Sequence, residues 1–288
     1  MAILAYGSKQ VRAVETAMGG RIPKELMKAP RAAMKSYLRE RFQQRSARLA
    51  ETEAILAKAR APMVEMLGQD KRTIAARKEL HKLFAGRPGK APAKRVHSKI
   101  EARIVTGSNL VIKVPPYDFA DQDAAGTAQG SGHSDSGTYT VNANSNGWAW
   151  AAVIENFLAT ADNPSQRFAA LVDYDYYWFD WSSLATAHND GATHIWIWGF
   201  TENRWVYQSG QALDPSWSDG TGWYESHGSG GDGSWQSGTE AVEAYFPAFG
   251  NHWYQAWVWS GASCDSSAYS GASLGQNMTV PYMVLGSL

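Results

Sequence analysis

THIWIWGF, residues 193–200, and HWYQAWVW, residues 252–259, decide the fold. Trp196 and Trp198 share one parity in the first stretch, and Trp253, Trp257 and Trp259 share one parity in the second. A period of two marks a β-strand, whose successive side chains point to opposite faces. The other parity is apolar too: Ile195 and Ile197, then Tyr254, Ala256 and Val258. Strands apolar on both sides are central and covered on both faces, so these indoles are expected in the core. TEN, residues 201–203, joins THIWIWGF to RWVYQ, residues 204–208, which is the length of a short hairpin.

Outward from these two stretches, TYTVNA, GWAWAAV, FAALVDYDYYWF, VEAYF and MTVPYMVL read as further strands, with IEARIVT and NLVIKV as a first pair joined near Gly107. Residues 154–161, IENFLATA, lack alternation and can also be read as one helix. Residues 116–137 read as a long polar loop, and Pro281 places the last strand at a sheet edge or start. The strand count and the Gly/Ser-rich turns predict an antiparallel, jelly-roll-like β-sandwich.

The N-terminal part has a different period. Residues 21–29 form a short helical stretch with Pro23 in its first turn. Residues 31–60 hold no Gly or Pro and are dominated by Ala, Leu, Arg, Glu and Gln, all strong helix formers apart from their charge. Leu38, Phe42, Leu49 and Leu56 make an apolar stripe interrupted by Arg45, and Pro62 is expected to end or kink the helix. Residues 71–84 are a further helix candidate, and GRPGKAPAKR, residues 86–95, is a linker or extended arm. The expected organisation is α+β in two modules: basic N-terminal helices over 1–85, a basic Gly/Pro linker over 86–101, and an acidic, tryptophan-rich β-sandwich over 102–288.

Charge divides the chain along the same line. The 288 residues hold 27 Lys+Arg and 27 Asp+Glu. Residues 1–114 contain 25 of the cations and 9 of the acids, leaving 2 cations (Arg167 and Arg204) and 18 acids for residues 115–288. All 13 tryptophans fall in the acidic part. Such asymmetry points to a basic arm with an anionic partner, or to two modules that neutralise each other within one chain or between copies. The candidate partner-binding or nucleic-acid-binding cations are Arg39, Arg41, Arg45, Arg48, Lys71, Arg72, Arg77, Lys78, Arg87, Lys90, Lys94 and Arg95. Cations at this density bind phosphates through counterion release, and the sparse aromatics among them argue against a single-strand stacking platform.

Motifs for chemistry are few. The sequence contains no HExxH, P-loop, GxSxG or strand-borne GxGxxG. Cys264 is its single cysteine, which excludes an internal disulfide and any cysteine-based zinc site. His188 and His194 bracket a presumed turn, HNDGATH, and form no metal-ligand spacing. Asp173 and Asp175 would share one strand face about 7 Å apart, a separation that glycosidases use and that two solvated aspartates explain equally well. Asp214, Asp219 and Asp232 lie in Gly/Ser-rich turns without the EF-hand ligand order. Trp217, Trp223 and Trp235 lie in the same stretch, placed either to bind glycan or a partner surface, or to pin a long loop to the sandwich.

A basic arm ahead of a sandwich resembles viral and phage structural proteins. That resemblance implies a non-enzymatic virion component (capsid, decoration or tail fibre), located in a virion or a cytoplasmic assembly. Its partners would be other copies, other assembly proteins or nucleic acid. A carbohydrate- or surface-binding module using the loop tryptophans is the second expectation, and a glycan-acting enzyme using Asp173 and Asp175 the third. No cofactor, metal, signal peptide or membrane insertion is expected, since no apolar run reaches roughly 18 residues.

Overall fold

The structure is a computed structural model and describes residues 24–68, 75, 111–159, 161–182, 185–209, 213–222, 225–266 and 270–287. A 3-10 turn, Lys24–Met27, leads into α1, Lys28–Gly68. Eleven strands follow: β1 (Val111–Lys113), β2 (Phe119–His133), β3 (Thr138–Leu158), β4 (Asn163–Ser182), β5 (Ala187–Gly199), β6 (Arg204–Gln208), β7 (Leu213–Thr221), β8 (Glu225–Gly228), β9 (Gln236–Ala248), β10 (Trp253–Ser266) and β11 (Ser270–Ser287).

All pairings are antiparallel, in the order β6-β5-β10-β3-β11-β4-β8, with β1 on β11, β2 on β3, β7 on β5 and β9 on β4. Strand β3 divides the sheet. Its residues 138–144 pair with β11, while residues 147–158 pair with β10. The sheet therefore curls at Ser145, a residue with φ of 63°, and its two arms close as a sandwich on one core. Val141, Val153, Phe168, Ile195, Ile197, Phe246, Tyr254, Val258 and Leu274 fill that core.

The opposite face of the β3–β10–β5 arm carries Trp150, Ile154, Trp196, Trp257 and Trp259, and α1 covers it. Met34 and Leu38 of α1 are 0% and 2% exposed there, and Phe42 stacks on Trp148 at 5.4 Å. Burying each such side chain stabilises the docked helix by about 1.5–3 kcal/mol. The sequence expectation of buried indoles holds for Trp196, Trp198, Trp257 and Trp259, with a helix as the second cover, while Trp253 is only partly buried.

Several local expectations are corrected. Residues 116–137 are mostly strand β2, because pairing along β3 outweighs their weak β-propensity. TYTVNA and GWAWAAV are one bent strand, and IENFLATA is strand through Leu158, held by β10. HNDGATH is no turn but the start of β5, paired on both sides with β10 and β7. Pro281 lies inside β11, beyond the end of its pairing with β3 at Thr279, where a register shift against β4 between Thr279 and Tyr282 removes the need for its N–H. Helix α1 runs through Pro62 to Gly68 at the cost of one backbone hydrogen bond. The hairpin from β5 to β6 is present, with Asn203 at φ of 50° in its turn. The stretches 71–84 and 86–101 lie outside the described residues, apart from Ala75.

Leu38→Ala should leave a void in the α1 seam and cost about 2–5 kcal/mol. After proteolytic cleavage within 86–101, the two fragments should co-elute on gel filtration for the native sequence and separate for Leu38→Ala. Fragments that separate equally in both would mean that the apolar seam does not hold the helix.

Candidate functional site

The seam between α1 and the sheet is where the charge division meets. Arg31 reaches Asp121 at 2.9 Å, Lys35 reaches Asp123 at 2.7 Å, and Arg41 lies 3.8 Å from Asp190. Farther along, Glu53 accepts hydrogen bonds from the Thr186 N–H and hydroxyl at 3.4 and 3.3 Å, and pairs with Arg60 at 2.7 Å. The three helix cations facing Asp121, Asp123 and Asp190 are about half exposed, so each pair is worth at most about 1 kcal/mol. Burial pushes the Asp121 carboxyl up, and Arg31 opposes that. Arg39 and Arg48 are exposed and make no ion pair with another described residue. The side chain of Arg45, and Lys71, Arg72, Arg77, Lys78, Arg87, Lys90, Lys94 and Arg95, lie outside the described residues.

Beneath Arg41 is a cleft between α1 and the sheet. Gly191, Ala192, Gly261 and Ala262 keep its floor low, and His194 and Trp259 close one side. His194 is 7% exposed, stacks on Trp259 at 4.7 Å and shares a hydrogen bond with Ser209 through Nδ1 at 3.0 Å. Its Nε2 is buried without a partner among the described residues. Burial, with Arg41 nearby, lowers its pKa to about 4.

Asp173 and Asp175 stand on the outer face of β4, as their spacing predicts, while Val172 and Tyr174 face the core. Asp173 accepts from Thr239 at 2.6 Å, and Asp175 accepts from Ser237. Both lie on the outer sheet surface, each tied to a hydroxyl of the neighbouring strand β9.

Trp217 is half-buried, stacked on Tyr176 at 5.4 Å and on Trp178 at 6.5 Å, with its N–H donated to Asn189. It occupies the space over Gly191, where a Cβ would sit 2.3 Å from the ring. Trp235 lies 4.7 Å from Tyr177. Trp223 is outside the described residues. Asp219 lies in strand β7, not in the expected turn, and shares a hydrogen bond with His227 of β8 at 2.7 Å, while Asp232 accepts from the Ser234 N–H at 2.9 Å in a turn. No three His, Cys, Asp or Glu side chains among the described residues converge as metal ligands, and no described helix is long and apolar enough to cross a membrane.

One buried polar chain was not anticipated. Lys113 contacts Glu155 at 2.8 Å, and Glu155 accepts from the Asp118 N–H. Asn156 donates to Asp118, Gln255 donates to Asn156, and Trp257 donates to Gln255. Burial pushes the Glu155 carboxyl up, and the bond to Lys113 opposes this. The signal for it was Glu155-Asn156 inside an otherwise apolar strand.

No protein-family model matches the chain, and no curated protein matches it. Among solved structures it is similar to a carbohydrate-binding module of the β-sandwich superfamily, at 9% identity over 57% of this chain and 56% of that one, with a TM-score of 0.22. It is also similar to the C-terminal carbohydrate-binding module of LamC, a marine laminarinase from Zobellia galactanivorans, at 10% identity over 62% of this chain and 100% of that one, with a TM-score of 0.17. A third likeness is to the enzymatically active domain of tailspike protein 4 of bacteriophage CBA120, at 10% identity over 56% of this chain and 19% of that one, with a TM-score of 0.21. TM-scores this low leave function to be argued from the residues themselves.

His194 generates a pH prediction. The unfolded imidazole takes a proton near pH 6.5, whereas the folded one resists protonation down to about pH 4. Stability should therefore fall as pH drops through that window, by up to about 3 kcal/mol from this group. His194→Gln should flatten the urea-midpoint profile between pH 6.5 and pH 4, and an unchanged slope would remove His194 as its source.

Proposed function

We propose that the chain is a non-enzymatic assembly protein, a component of a virion or a comparable particle. Its basic helix docks on acidic surface and its sandwich is displayed. The observation that carries this reading is the charged seam, in which cations of α1 face aspartates of β2 and β5 around an aromatic anchor. A helix held by apolar contact and aligned by weak ion pairs can make the same contacts with the sandwich of a neighbouring copy. Arg39 and Arg48, together with the cations that the sequence places over residues 71–95, are offered to an anionic partner, either nucleic acid or an acidic face of another subunit. The aspartates of β4 that resemble a catalytic pair are hydrogen-bonded to β9 hydroxyls on an open surface, which favours a non-enzymatic role.

Mass measurement of the native particle should show an assembly of many copies. Raising salt from about 0.1 M to 1 M shortens the Debye length from about 10 Å to 3 Å and should weaken assembly or nucleic-acid binding. Arg39→Glu with Arg48→Glu should reduce that binding several-fold and leave the sandwich folded. A monomer at every salt concentration that ignores duplex DNA and RNA would overturn the proposal.

A further inference from the structure

The sandwich face turned away from α1 is built from β2, β3, β11, β4 and β9, and two rows of side chains cross it. In one row Ser131 pairs with Thr140, Thr140 with Asn277, Asn277 with Asp175, and Asp175 with Ser237. In the next row His133, Thr138, Thr279, Asp173 and Thr239 stand in the same succession. Directly paired residues point to the same side, and their neighbours Tyr139, Val141, Val172 and Met278 fill the core, so both rows face outward. The result is a polar grid with steps of ~4.8 Å across strands and ~7 Å along them.

Aromatic rings stand on either side of the grid. Gly275, beside Asn142 in the following row, has no side chain, and Trp235 and Tyr177 lie over it: a Cβ there would meet Tyr177 at 2.6 Å and Trp235 at 3.2 Å. On the other side, past the register shift, comes Tyr282, paired with Leu171. Tyr245, 44% exposed, follows on β9 with its hydroxyl donated to Glu243 at 2.6 Å.

We propose that this face binds a neutral, extended polyhydroxylated chain, that is, a glycan. Sugar hydroxyls need acceptors and donors at regular short spacing, and both rows supply them. Asp173 and Asp175 supply the stronger, charge-assisted acceptors, held in orientation by Thr239 and Ser237. Trp235 and Tyr282 supply apolar ring surface for the C–H faces of the sugar. Charge selects the class of partner. The rows contain two aspartates and no Lys or Arg, so a polyanion is repelled. Between the flanking rings the two rows offer only hydroxyl, amide, imidazole and carboxylate groups, a surface that suits sugar hydroxyls better than the apolar core of a protein interface. The inference stands independently of particle assembly, which a mass measurement reads separately.

The test titrates the full chain with neutral β-linked hexaoses of glucose, galactose and mannose, with polygalacturonate as the acidic control, by calorimetry and tryptophan fluorescence. At least one neutral hexaose should bind, and polygalacturonate should not. Asp173→Asn with Asp175→Asn, nearly isosteric and on the surface, should weaken that binding about tenfold or more with the near-UV spectrum unchanged. Trp235→Ala should weaken it in the same direction and reduce the fluorescence response. If no neutral hexaose binds, if polygalacturonate binds as tightly, or if both variants bind like the native chain, the proposal is wrong.

Discussion

Two strands that are apolar on both faces impose a requirement that no single sheet partner meets. The inner parity of β5 and β10 is satisfied by the other arm of the curled sheet. The outer parity, Trp196 with Trp257 and Trp259, needs a second cover, and α1 provides it through Met34 and Leu38. Exposing this cluster would leave contiguous aromatic surface in water, an aggregation liability. The helix is therefore structurally obligatory at its first half, whatever its cations also do. Docked there, α1 meets Asp121 and Asp123 of β2 and Asp190 of β5.

The aromatic cover also explains a group of buried donors. The indole nitrogens of Trp150, Trp196, Trp198, Trp205 and Trp259 find no oxygen partner among the described residues. Several of these rings meet edge to face: Trp196 meets Trp259 at 5.0 Å and 77°, and Trp205 meets Trp198 at 5.1 Å and 84°. An N–H aimed at a ring face recovers part of a hydrogen bond. Trp257 is the exception, donating to Gln255, which ties the aromatic cluster to the buried polar chain ending at Lys113. Removing one ring thus disturbs donors on several strands at once.

Sequence showed the period-two stretches, the helix and the charge division, because each rests on local pattern. It did not show β2, whose Gly, Ala, Ser and Asp residues become a strand only through β3. It also missed the continuity of β3 and of β5, since polar stretches such as HNDGATH look like turns until Asn189 and Thr193 find buried partners. Pro281 was misread for a similar reason: a proline is tolerated within a strand where the pairing with β3 has ended and the pairing with β4 shifts register. At the sites, the shared face of Asp173 and Asp175 was legible from parity. Their hydroxyl partners on β9, and the placement of Trp235 over Gly275, depend on register between strands about 40 to 100 residues apart, which no local pattern encodes.

The charge division then needs a reason beyond stability, because exposed pairs such as Arg31–Asp121 contribute little. Their contribution is alignment. An apolar stripe alone lets a helix slide or turn end for end on an aromatic face. Three cations spaced along α1, each opposite an aspartate from β2 or β5, penalise those alternatives with unpaired or like charges. Opposite net charge on the helical part and on the sandwich gives that alignment one sense. A chain with mixed charge on both modules would keep its fold and lose that directionality.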